Sequence, residues 1–88
     1  MGKNAFHINR QFPSSGDANN VGTSGIYRVN GNATNLPNSG YGLLVVFASE
    51  DSANSSIAQI FFGGNTTSVW VRNKWTSTQT WSDWTKIN

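Results

Sequence analysis

The sequence predicts a mainly β protein, a small antiparallel β-sheet domain of about five short strands with one short N-terminal helical turn. Three observations predict it. From Gly25 onward, short runs rich in Val, Ile, Phe, Tyr and Trp alternate with clusters of Gly, Asn, Ser and Thr, the pattern of strands joined by turns. No helical period extends over ten residues. Twelve Asn, eleven Ser, eight Thr and three Gln supply 34 of the 88 residues, beside four Trp, five Phe and two Tyr. Disordered chains are poor in aromatics and rich in charge, so this mixture belongs to a folded β chain.

Residues 1–16 read as a polar N-terminal segment, a stalk end or linker, because periodicity is weak and Pro13-Ser14-Ser15-Gly16 breaks any regular element. The domain itself is expected over 17–88. Asp17 is a suitable N-cap for one helical turn over Ala18-Asn19-Asn20, closed by Gly22. Residues 26–30 make a strand that ends at the turn former Asn30-Gly31, and 32–42, with Pro37 and repeated Asn, Ser and Gly, make a loop. Residues 43–48 are apolar at every position, which predicts a strand covered on both faces and placed at the centre of the core. After a polar turn comes a strand over 56–62, which the hairpin turn Gly63-Gly64-Asn65 leads into a strand over 66–74; the last strand covers 79–87. Within 66–74, Val69 and Val71 point to one face, expected to be the core side, while Trp70, Arg72 and Lys74 share the other. A chain of this length buries only about 60–65% of its unfolded surface, so further copies or a partner subunit would add to a small core.

Composition excludes several functions. The net charge of +2 comes from few charges, no two basic residues are adjacent, and a nucleic-acid footprint is therefore absent. There is no Cys, hence no disulfide scaffold, thiolate metal site or Cys nucleophile. The run 43–48 is far short of the ~20 apolar residues of a membrane span, so no membrane insertion is expected, and Met1-Gly2-Lys3-Asn4 shows no signal-peptide character. Of the four carboxylates, Glu50 and Asp51 share a polar turn where both stay ionised, and His7 lies in the weakly patterned N-terminal stretch, so no catalytic residues are assigned and the chain is not expected to be an enzyme. No cofactor is expected and no metal ligands are assigned; Glu50, Asp51 and Asn54 could form at most a weak Ca²⁺ turn. Asn-x-Ser/Thr sequons at Asn32, Asn54 and Asn65 occur about as often as this composition gives by chance.

The run Thr23-Ser24-Gly25-Ile26-Tyr27-Arg28-Val29, then Asn35-Leu36-Pro37, Gly42-Leu43-Leu44-Val45-Val46, Gln59-Ile60-Phe61, Val71-Arg72-Asn73 and Trp81-Ser82-Asp83-Trp84-Thr85-Lys86-Ile87, resembles in its order the pyocin-knob type domain of phage and R-type pyocin tail fibres. Each piece is common; the ordered set is more specific. Trp70 and Phe61 stand where many relatives carry Tyr. The resemblance implies a knob-like β domain near the distal end of a homotrimeric fibre, in the virion as part of a tail fibre or tailspike assembled in the bacterial cytoplasm. It also implies receptor binding, that is attachment to bacterial surface polysaccharide, lipopolysaccharide or capsule. Two other functions fit the same sequence: a non-catalytic carbohydrate-binding appendage on a phage polysaccharide-degrading enzyme, and a structural trimerisation module without ligand.

Candidate residues follow from this frame. Trp81 and Trp84, three apart and on opposite faces if in one strand, match fixed family positions and are read as structural. Trp70, Arg72, Lys74 and Trp75 are the leading glycan-binding candidates: rings stack on the C–H faces of sugars, and the cations offer charge-assisted hydrogen bonds to anionic ones. The competing reading has Trp70 packed on a neighbouring strand or subunit and Arg72 paired with Asp83 or Glu50. Asn32, Asn35 and Tyr41 are further glycan candidates, against plain turn chemistry for their loop.

Overall fold

The computed structural model describes residues 6–14, 16–37, 41–50, 55–64, 67–75 and 79–88, and for Glu50 and Ser55 only the backbone. Strands β1 (His7–Arg10), β2 (Gly25–Val29), β3 (Gly42–Glu50), β4 (Ser55–Gly63), β5 (Val69–Lys74) and β6 (Thr85–Lys86) form one sheet in chain order. All neighbours are antiparallel except β1 and β2, which run parallel. The protein is therefore mainly β, with almost no helix, as its turn-punctuated sequence predicts.

The long central strands β3 and β4 lie where the apolar runs place them. Two elements differ. The last strand shrinks to Thr85–Lys86, after an irregular stretch tied to β5 by a bridge between Trp81 and Lys74. β1 lies within the segment expected to be a stalk end or linker, 1–16; from residue 7 that segment joins the sheet, and Phe12 packs against the core. β1 is an exposed edge strand, so its side chains carry no burial alternation to read. It is held by backbone pairing to β2 and by Arg10 Nε donating to the Ser24 carbonyl at 2.9 Å. Gly25 permits the approach, since a Cβ there would meet the His7 carbonyl oxygen at 2.6 Å.

The expected helical turn is a single 3₁₀ turn, Ala18–Asn20, capped by Asp17, whose carboxylate accepts the Asn19 N–H at 2.8 Å. The same oxygen accepts Asn35 Nδ2 at 2.8 Å. The Asn35 bond first, and the Asn19 bond second, hold the Asp17 pKa below the ordinary carboxylate value. A depressed acid stabilises the fold above its unfolded pKa, and that stabilisation is lost as pH falls through the folded pKa. Melting temperatures should accordingly drop below about pH 4. Asp17→Asn, which keeps a capping oxygen but cannot titrate, should shrink that drop; an unchanged acid profile would show that Asp17 contributes nothing to it.

The core lies on one face of the sheet. Register stacks Tyr27, Leu44, Phe61 and Trp70 in one cross-strand row, and Gly25, Val46, Gln59 and Arg72 in the next. The 3₁₀ turn with Ala18 and Val21, the loop residues Ala33 and Leu36, and Trp81 and Trp84 cover these rows. This reverses the expected sides of β5: Trp70, Arg72 and Lys74 face the core, and Val69 and Val71 face outward. Alternation defines two faces but not which one is covered; the buried Gln59 and Phe61 across from Arg72 and Trp70 decide it. Likewise, among the described residues, only one side of β3 is covered. Leu44 and Val46 are fully buried, whereas Leu43 and Phe47 on the other side remain 46% and 52% exposed.

Candidate functional site

The most ordered polar arrangement is internal. Arg72, 7% exposed, donates from Nε to Gln59 Oε1 at 2.9 Å, and Gln59 Nε2 donates to the carbonyls of Ala18 and Val21 at 2.8 and 3.0 Å. The guanidinium lies between two rings, its Cζ 4.1 Å from the Trp81 centroid and 4.6 Å from that of Trp84. Both distances fall within cation–π range. Trp84 Nε1 donates to the Asn35 carbonyl at 3.0 Å and its ring meets Phe61 edge to face. Burial pushes the Arg72 pKa down to about 10, with Asp17 acting in the opposite direction. It remains a cation at neutral pH. One cation thus joins the C-terminal tryptophans to the sheet, while Gln59 joins it to the 3₁₀ turn.

This arrangement corrects three expectations. Trp81 and Trp84 do not lie on opposite faces of one strand, because 82–84 is irregular and both rings reach the same guanidinium. Arg72 is bound to Gln59 and two rings rather than to Asp83; the Glu50 side chain and Asp51 lie outside the described residues. Trp70 packs into the core edge with its Nε1 buried, and Lys74 Nζ sits 5.3 Å from the Trp81 centroid. Neither offers the open ring-and-cation surface that the sequence pattern suggests.

A groove of about 620 Å³ opens to solvent at one end of the outward face. Phe47, Ala58 and Asn73 form a cross-strand row, and the small Ala58 leaves a trough between its larger neighbours. Trp75, two residues past Asn73 and 57% exposed, lines the trough. Phe6 stacks on Phe47 with centroids 5.6 Å apart and extends the aromatic wall. Ser49, Ser56 and Asn73 add neutral hydrogen-bonding groups, and none of the described lining residues is charged. Aromatic walls with a few neutral donors and acceptors suit a ligand with both C–H faces and hydroxyls.

Of the glycan candidates, only Trp75 lies in this groove. Tyr41 sits at the other end of β3, six residues before Phe47 and so about 20 Å away along the strand. Asn32 and Asn35 are exposed with φ of 52° and 62°, and Asn35 is committed to Asp17 and Trp84, the turn chemistry of its loop. Phe6 and Phe47 were missed: Phe47 hides within a run that reads as core, and Phe6 in a stretch without pattern. Among the described residues no group of three or more His, Asp or Glu could hold a metal ion, and no helix is long and apolar enough to cross a membrane. The Ca²⁺ turn considered at Glu50, Asp51 and Asn54, and the sequons at Asn54 and Asn65, fall outside the described residues or side chains.

No curated protein and no solved structure gives a significant match to the chain. A phage relationship, the coarser part of what the strand-and-turn order implies, is shown by a family model that matches residues 5–86. With nearly its whole length matched, the chain belongs to the family of the third domain of the phage-like element PBSX protein XkdV.

Proposed function

We propose that this phage-element domain is a non-enzymatic, knob-type binding module of a tail fibre or tailspike in the virion, and that it attaches the particle to bacterial surface polysaccharide. The observation that carries this reading is the aromatic groove of Phe6, Phe47 and Trp75 with the neutral Asn73, Ser49 and Ser56 on its walls. Three rings offer stacking surface and the neutral groups can read hydroxyls, while no metal or ionised group is required. Contacts of this kind are individually weak. In a homotrimer, each is strengthened because the other sites are already held near the cell surface.

The reading is tested on an array of lipopolysaccharide and capsule fragments. Wild-type protein should bind a subset of them, and Trp75→Ala should weaken that binding by about tenfold or more, equivalent to ~1.4 kcal/mol. Because the described residues lining the groove carry no charge, affinity should change little between low and physiological ionic strength. A Trp75→Ala protein that binds like wild type, or binding that collapses with added salt, would remove the groove from the mechanism. A carbohydrate-binding appendage of a polysaccharide-degrading enzyme would use the same groove. A purely structural module draws on a different observation, the open face of the sheet.

A further inference from the structure

Arg72 and Lys74 are taken up by the C-terminal tryptophans, and the other two arginines lie at the opposite side of the sheet. Arg10 and Arg28 line one depression of about 400 Å³ on the outward face, where β1 meets β2. Asn9 on β1 and Gln11 just past it also line the depression, together with the exposed Ile8 and Leu43. From His7 to Arg10, β1 takes three residue steps against two in β2 from Gly25 to Tyr27. Such a bulge re-aims side chains at a sheet edge. Arg10 is partly buried and fixed: its Nε donates to the Ser24 carbonyl at 2.9 Å, and its stem lies over Gly25, where a Cβ would meet Arg10 Cγ at 2.8 Å. Arg28 is exposed opposite Leu43 on β3 and has no carboxylate partner among the described residues. None of the described residues lining the depression is acidic. Two like charges beside one depression repel, and an anion between them relieves that repulsion.

We propose that this depression is a second binding site, for an oxyanion, a phosphate or carboxylate group carried by the same surface polymer whose neutral sugars occupy the aromatic groove. A guanidinium presents a planar fork of N–H donors that matches the paired oxygens of either group. Arg28 supplies that fork, Arg10 adds a fixed positive charge, and the amides of Asn9 and Gln11 meet the hydroxyls beside the anion. Ile8 and Leu43 offer apolar surface to the C–H face of the sugar that carries it. Leu43 and Phe47 point to the same side of β3, four residues and so about 13 Å apart along the strand. That is a span of a few sugar units, so one polymer chain reaches both sites. Salt screens the oxyanion contact alone and leaves neutral sugars in the groove unaffected. The oxyanion site stands on the two arginines; that a polysaccharide carries the anion rests on the glycan reading.

Inorganic phosphate and glucuronate, titrated separately into isotope-labelled protein at constant ionic strength, test the site by nuclear magnetic resonance. At least one of them should give saturable shifts of the Asn9, Gln11 and Arg28 signals, and the tighter one identifies the anion. Arg28→Gln should keep the wild-type melting temperature and weaken that binding by about tenfold or more, the loss expected for one charge-assisted hydrogen-bonding group. Trp75→Ala should leave it unchanged. No saturation with either probe, or wild-type binding by folded Arg28→Gln, overturns the site. If Arg28→Gln fails to fold, Gln11→Glu, which places an acid in the depression at an exposed position, gives a second measurement: it should abolish the shifts, and unchanged shifts overturn the site as well. On the polysaccharide array at low ionic strength, fragments bearing the favoured anion should bind more tightly than neutral counterparts, and Arg28→Gln should erase that difference without weakening neutral fragments. Neutral fragments that bind while the anion adds nothing overturn the shared polymer and leave the groove standing. Saturable phosphate or glucuronate binding with no fragment bound upholds the oxyanion site and removes the glycan reading.

Discussion

Gln59→Ala is expected to cost roughly 3–5 kcal/mol, the range for stripping the hydrogen-bond partner from a buried charge. Gln59 is fully buried on β4 and makes three contacts at once: it accepts from Arg72 Nε and donates to the carbonyls of Ala18 and Val21. Alanine removes all three. The Arg72 guanidinium, whose Nη2 is already buried without a partner among the described residues, then loses its Nε acceptor too. The Val21 carbonyl loses the Gln59 donor beneath the 3₁₀ turn, while the Ala18 carbonyl keeps the Val21 N–H at 3.2 Å, and a buried polar group left unpaired costs about 1–3 kcal/mol. A small domain has only about 5–15 kcal/mol in total, so urea unfolding should show a large fall in midpoint with little change in slope. The charge can be separated from the cavity. Gln59→Met with Arg72→Met replaces the polar pair by apolar groups of similar length and should recover much of the loss, giving a strongly non-additive double-mutant cycle. A Gln59→Ala loss under about 1 kcal/mol would mean that Arg72 finds another acceptor and that the pairing seen here does not govern stability.

Phe61→Ala should be of similar size, roughly 3–5 kcal/mol, but for a different reason. Phe61 is among the largest fully buried side chains, set between Leu44 on β3 and Trp70 on β5 in one cross-strand row. Its ring meets Trp84 edge to face at 6.5 Å between centroids. Truncation therefore leaves a cavity at the centre of the core and frees one wall of the sandwich around Arg72. Loss of near-ultraviolet dichroism from Trp84 should accompany the lowered melting temperature. Phe61→Leu, which refills most of the volume, should retain more stability than Phe61→Ala; equal loss in both would point to the ring contact rather than the cavity.

The two substitutions mark the division between what can and cannot be read from the chain. Phe61 sits in an alternating strand beside Gln59, and such a strand is legible from its own residues. Gln59 carries its importance through Ala18, Val21 and Arg72, which lie 41, 38 and 13 residues away, and no local pattern connects them. The candidate site divides in the same way. Trp75 stands out as an aromatic at a strand end before a polar turn, whereas Phe6 and Phe47 enter the groove only because β1 pairs with β2 and β3 with β4.

By itself the sequence determined the β class, the central strands β3 and β4 and the Asp17 cap, because each is a preference of neighbouring residues for a backbone conformation. It also determined that β3 is apolar on both sides. Only the tertiary structure decided which side of β5 is the inside, that the N-terminal stretch supplies a parallel edge strand, and that Trp81 and Trp84 close on one guanidinium. The physical reason is that strand alternation is symmetric under exchange of faces. Val69 and Val71 could be core and Trp70 and Arg72 surface, or the reverse. The choice falls to long-range burial, where segments from both ends of the chain cover Phe61, Gln59 and Arg72 on one face and leave the valines on the other.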